Sequence, residues 1–254
     1  MLEKKGQVLV VTLNRPNAAN SLNLDTLKKG AILVRDLYYD RSVRVVILTG
    51  SGDRVFSAGA DLKERKGMSM AQVRQYIQTI RDTFTQIENL PQPVICAMNG
   101  SAMGGGMELA LACDIRIAVP TAKMGLTETS LGIIPGGGGT QRLPRLVGRG
   151  RAKEMIFTAE TVDAETALTY GLVNHVVPRK DLMKKAMEIA EKICNNAPIA
   201  VTQAKFAVNR GMEMDISSGL SLESAAYEVC IPTTDRVEAL EAFLEKRKPD
   251  FKGE

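Results

Sequence analysis

Apolar residues in this chain alternate between two spacings. Val8-Leu9-Val10-Val11-Thr12-Leu13 is an uncharged run rich in β-branched residues that predicts a buried strand, closed by the turn residues Asn14-Arg15-Pro16-Asn17. Leu24, Leu27, Ala31, Val34 and Tyr38 then recur at three- and four-residue steps, the signature of one helix face. Val43 to Thr49 returns to a strand pattern and ends in Gly50-Ser51-Gly52. A second long helix is predicted from Ser69, a good N-cap, with Val73, Ile77, Ile80, Phe84 and Ile87 along its stripe. It stops at Pro91, and Pro93 to Met98, Ile115–Val119 and Leu172–Val177 read as further strands.

Strands separated by helices of this length predict an α/β fold with crossover connections. After about residue 180 only helical patterns remain, over Asp181–Asn195, Ile199–Arg210, Ser217–Val229 and Thr233–Lys246, punctuated by Gly211, Gly219 and Pro232. Such a region can cap its own core or pack on a neighbouring subunit. Val237, Leu240 and Leu244 form an apolar stripe that a small core would leave uncovered.

Composition narrows the function classes. No stretch of about 18 uncharged apolar residues occurs, so no membrane span is expected. Met1 leads almost directly into the first strand with no apolar or Arg/Ser-rich leader, and a cytoplasmic protein is expected. The net charge of +4 is compatible with an anionic ligand without announcing a nucleic-acid protein. Cys96, Cys113, Cys194 and Cys230 show no Cys-x-x-Cys spacing, and His175 is the only histidine, so neither a zinc site nor a Ser-His-Asp triad is expected.

The candidate chemistry lies in two glycine-rich stretches. From Pro91 through Cys113 the only charge is Glu108, which follows Gly104-Gly105-Gly106 and opens an apolar helix. From Met124 through Gln141 the only charge is Glu128, ahead of Gly136-Gly137-Gly138-Gly139. Each could be a routine carboxylate, Glu108 at a helix N-terminus and Glu128 on a solvated loop. Two lone carboxylates in uncharged surroundings fit better as a general acid/base pair tuned by burial. Neither glycine run fits a phosphate loop or a dinucleotide fingerprint. The triple glycine instead offers amide donors beside a helix N-terminus, suited to a developing oxyanion.

These segments resemble those of a known family. Phe56-Ser57-Ala58-Gly59-Ala60-Asp61-Leu62-Lys63-Glu64 and Asn99-Gly100-Ser101-Ala102-Met103-Gly104-Gly105-Gly106-Met107-Glu108 resemble the two oxyanion segments of the crotonase (enoyl-CoA hydratase/isomerase) superfamily. Ile134-Pro135-Gly136 to Leu143, Leu13-Asn14-Arg15-Pro16 and Phe243 to Lys248 are similar to further family segments. The resemblance implies a spiral of ββα turns over residues 1–195 and an all-helical trimerisation region over 196–254, assembled as a homohexamer from a dimer of trimers. It implies that the amides of Ala60 and Gly105 hold a thioester carbonyl, that Glu108 and Glu128 are catalytic, and that Gly136 lines the reacting end of the acyl chain. Ala58, Asp61, Leu62 and Lys63 would border coenzyme A, and Phe243 and Lys246 would reach the ligand of an adjacent subunit. No separate cofactor is implied, since coenzyme A is part of the substrate.

Within the family, both glutamates present together favour reversible syn hydration of a 2-enoyl-CoA, because isomerases often keep only one. Ala58 to Arg65, Ile133 to Arg145, Gly211 to Asp215 and Phe251 to Glu254 resemble the methylglutaconyl-CoA hydratase branch, which leaves that substrate and an isomerase as alternatives. One member of that branch binds A/U-rich RNA through lysines on its first long helix. The matching positions here are Leu24, Lys28 and Ile32, and this departure argues against RNA binding and a scaffold role.

Overall fold

A computed structural model describes residues 1–254. The strands are β1 (Leu2–Lys5), β2 (Val8–Leu13), β3 (Val45–Gly50), β4 (Val55–Ser57), β5 (Val94–Met98), β6 (Ser101–Met103), β7 (Ile115–Ala118), β8 (Lys123–Gly125), β9 (Val162–Asp163) and β10 (His175–Val176). Between and after them run α1 (Leu24–Tyr39), α2 (Leu62–Lys66), α3 (Met70–Glu88), α4 (Gly105–Leu111), α5 (Gly139–Val147), α6 (Arg149–Thr158), α7 (Ala164–Thr169), α8 (Leu182–Cys194), α9 (Pro198–Gly211), α10 (Ile216–Cys230) and α11 (Thr234–Leu244).

The larger sheet has the order β1-β2-β3-β5-β7-β10 and is parallel except for the β1–β2 hairpin. Every residue of β3 and β5 is buried, as expected for parallel strands covered on both faces. The smaller sheet, β4-β6-β8-β9, is parallel along β4-β6-β8. Three of its strands each follow a strand of the larger sheet, β4 after β3, β6 after β5 and β8 after β7, while β9 follows α6. The chain thus climbs in ββα turns, and each turn emerges from the smaller sheet at the same end of the molecule.

The predicted α/β architecture with a helical C-terminal end is what the structure contains, with local differences. In α1 the buried residues are Leu27, Val34 and Leu37; Tyr38 is exposed, so the inward stripe runs through Leu37. The strand expected over Leu172–Val177 shrinks to His175–Val176, because Leu172 and Val173 are buried in the turn after α7 without pairing in the sheet. In α3 the predicted cap is a full capping box, in which Gln72 N donates to Ser69 and Ser69 N donates to Gln72.

After α8 the chain is helical only, and α9 is tied to the core by polar contacts. Lys205 pairs with Asp114 at 2.7 Å and donates to Gln92 O, Thr202 donates to Pro91 O, and Asn209 to Glu88 O. On α11, Val237, Leu240 and Leu244 all face outward, while Ala242 and Asp235 point in. No helix is long and apolar enough to cross a membrane.

Candidate active site

Three consecutive turns of the spiral deliver their ends to one cavity. The first is the segment after β4. Gly59 has φ +85°, and a Cβ there would stand 2.7 Å from Met103 O and 2.8 Å from Gly105 N, so only glycine lets the two loops touch. The segment is held by Ala19–Leu22: Ala58 N donates to Ala19 O at 3.0 Å, Leu22 N to Gly59 O at 2.7 Å and Asp61 N to Leu22 O at 3.2 Å. Tyr76 of α3, fully buried, donates its hydroxyl to the same Leu22 carbonyl at 2.6 Å. These bonds leave Ala60 N–H without an acceptor in the protein.

The second turn is the junction of β6 and α4. Gly105 is the first residue of α4, so its N–H is among those a helix leaves unpaired. A Cβ on Gly105 would lie 3.5 Å from Ala60 N, which places the two free amides side by side. One helical turn on, Glu108 is 2% exposed. Its Oε1 accepts from Gly137 N and Gly139 N, both at 2.8 Å. Burial pushes the Glu108 pKa above the ordinary carboxylate value, and the two amides, with Arg142 and Arg81 nearby, pull it back.

The third turn is the single 3₁₀ turn after β8, Glu128–Leu131. Glu128 is buried, its Oε2 has no hydrogen-bond partner, and its Oε1 would lie 3.1 Å from a Cβ on Gly104. Burial first, and the neighbouring Glu108 charge second, raise its pKa to about 7. The two carboxylates therefore differ: Glu108 accepts two backbone amides that offset its burial, whereas Glu128 has no such partner and holds its proton near neutrality.

Ala58, Ala60, Leu62, Gly105, Glu108, Glu128 and Gly136 all line this cavity of about 120 Å³. Asp61 and Lys63 do not. The Asp61 carboxylate is occupied by Arg15 at 2.9 Å, by Ser21 and by the N-terminus of α2, which makes it part of the scaffold of the Ala60 segment. Lys63 is exposed on α2. Phe243, 80% exposed, and Lys246 lie outside the cavity of their own chain. Sequence reasoning missed the Gly137 and Gly139 amides, Tyr76 and Arg65; only the run of four glycines gave a signal, as backbone approaching something closely. Beyond Gly136, Ile77, Ile133 and Ile134 the cavity opens into a groove of about 800 Å³ carrying Arg65, Arg81, Arg142 and Arg145. Arg142 is paired with Glu88 and Arg145 with Glu213, whereas Arg65 and Arg81 have no carboxylate partner.

Paired amides facing two unlike carboxylates can stabilise an oxyanion and move protons on either side of it. The family model for enoyl-CoA hydratase/isomerase matches residues 3–254. The chain is similar to the short-chain-enoyl-CoA hydratase of Clostridium acetobutylicum, 51% identical over 98% of this chain and 95% of the relative. It is similar to the human mitochondrial methylglutaconyl-CoA hydratase, 46% identical over 99% of this chain and 76% of the relative. Among solved structures, an enoyl-CoA hydratase from Bacillus anthracis superposes with a TM-score of 0.98 at 53% identity, covering 100% of this chain and 99% of that one.

Proposed function

The chain belongs to the enoyl-CoA hydratase/isomerase family, and we propose from this membership and the geometry of its cavity that it hydrates 2-enoyl-CoA thioesters. The observation that carries the reading is the convergence of the free Ala60 and Gly105 amides with Glu108 and Glu128 on one cavity. The amides hold the thioester oxygen and stabilise the enolate-like charge that develops on it. Glu108, aimed by the Gly137 and Gly139 amides, takes a proton from water as the water oxygen bonds to C3. Glu128 delivers its proton to C2, and the proton left on Glu108 returns to Glu128 through solvent before the next cycle. Delivery of both atoms from one side of the double bond makes the addition syn.

The test is turnover of crotonyl-CoA, read as loss of the enoyl-thioester absorbance. Absence of hydration in the folded protein would overturn the reading. A second reading is favoured by Arg65 and Arg81, which leave two uncompensated cations where the far end of the acyl group would lie. They suit an acyl chain ending in a carboxylate, as in 3-methylglutaconyl-CoA. Higher kcat/KM for that thioester than for crotonyl-CoA, lost in Arg81→Gln, would establish it.

The assembly proposed with this function is a dimer of trimers. It is supported by the outward apolar residues of α10 and α11, among them Leu220, Tyr227, Leu240 and Leu244.

A further inference from the structure

The four consecutive glycines Gly136–Gly139 are the most permissive backbone in the chain, yet two of their amides must aim at a single oxygen atom. Something has to hold them. Arg142, in the second turn of α5, reaches back over this loop, and its Nη1 donates to Gly137 O at 2.9 Å. The Gly137 residue is thereby fixed at both ends, its N–H on Glu108 and its carbonyl on Arg142. The fit depends on Gly138, at φ +110°, where any Cβ would collide with the Arg142 guanidinium.

Arg142 is itself anchored. Its Nη2 pairs with Glu88 at the end of α3 at 2.7 Å and donates to Thr85 at 3.3 Å, and the side chain is 12% exposed. A continuous set of polar contacts therefore runs Glu88–Arg142–Gly137–Glu108. It joins the long helix that walls the cavity to the carboxylate at its centre.

From this geometry we infer that Arg142, anchored by Glu88, is a positioning residue for Glu108 that acts through the glycine loop. The inference rests on the hydratase reading for its kinetic test. Loss of the clamp frees the Gly137 and Gly139 amides from their aim and removes a nearby cation. Both effects favour protonated Glu108. The other charged or titratable groups around Glu108 are Arg81 and Tyr76 from α3, Arg65 from α2 and Glu128 after β8, and all of them are unchanged by substitution at position 142.

The experiment compares kcat–pH profiles of crotonyl-CoA hydration for wild type, Arg142→Gln, Arg142→Lys and Glu88→Gln, each first shown to keep its circular dichroism and oligomeric size. Arg142→Gln is expected to lose up to about 10²-fold in kcat, the scale of a small misplacement of a reacting group, with KM nearly unchanged. The acidic limb of its profile should move up by about one pH unit, the low end for loss of a neighbouring cation. Glu88→Gln should shift the limb in the same direction by less, and Arg142→Lys should restore part of the shift. A fall in kcat with the acidic limb unmoved would overturn the inference, since mere loosening of the fold does not shift a titration. If Arg142→Gln fails to fold, the limb of Glu88→Gln decides in its place. If wild type shows no hydration, the hydratase reading falls, and the clamp is judged by a crystal structure of Arg142→Gln. Gly137 N and Gly139 N still at 2.8 Å from Glu108 Oε1, as in the wild-type chain, would then overturn it.

Discussion

At the scale of single residues, the chemistry depends on Glu108 and Glu128 being unlike. Replacing either by Gln keeps the shape and removes proton transfer, so each should lose about 10²–10⁴-fold in hydration. The double variant should fall far short of the product of the two, because the pair acts as a unit. Near-normal hydration in Glu108→Gln would exclude the two-glutamate mechanism. Glu128 also predicts a pH effect on stability. Its pKa is raised on folding from 4.5 to about 7, so the folded state binds the proton more tightly. The stability present below 4.5 is lost as pH rises through 7, at about 1.4 kcal/mol for each pH unit between the two values, or about 3 kcal/mol in all. Thermal unfolding should show Glu128→Gln more stable than wild type at about pH 8, with the gap closing by about pH 4.5; an equal gap at both values would contradict the burial argument. Both glutamates were legible in the sequence because each is the only charge in a long neutral stretch. The amides that select between them were not, since Gly137 and Gly139 carry no side chain to signal a role and Arg142 looks like any helical arginine.

Among the elements, the start of α4 carries the greatest functional weight. Proline is well tolerated at the first helical position and lacks an N–H, so Gly105→Pro removes one oxyanion donor while keeping a residue type suited to that site. Turnover should drop by about 10²-fold or more with acyl-CoA binding retained. Unchanged turnover in the folded variant would remove Gly105 from the site. The long strands of the larger sheet were readable because β3 and β5 are uninterrupted runs of buried β-branched and apolar residues. The smaller sheet was not. Its strands have two or three residues each, too few for any period to show, and it is their pairing with one another that defines them. In α1 the three- and four-residue spacing put Tyr38 at the end of the inward stripe, whereas the structure buries Leu37 and leaves Tyr38 exposed.

For the whole molecule, the outward stripe of α11 predicts association, with Leu240 57% and Leu244 79% exposed in the single chain. Sedimentation at micromolar concentration should find a trimer-based species, and Leu240→Asp should shift it toward smaller ones; a stable wild-type monomer would contradict the assembly. The sequence carried the apolar stripe and its exposure; what it did not show is that Asp235 of the same helix turns inward and accepts from the Lys252 and Gly253 amides. The spiral has a further consequence in time. Its parallel ladders join residues far apart in sequence, Ile47 with Ile95 and Ala97 with Ile117, and such pairings close slowly. Because one turn contributes Ala60, the next Gly105 and Glu108, and the third Glu128, no fragment of the ladder holds a working centre. During refolding from denaturant, recovered turnover should therefore lag behind recovered helical signal, and the length of that delay times the closing of the last turn.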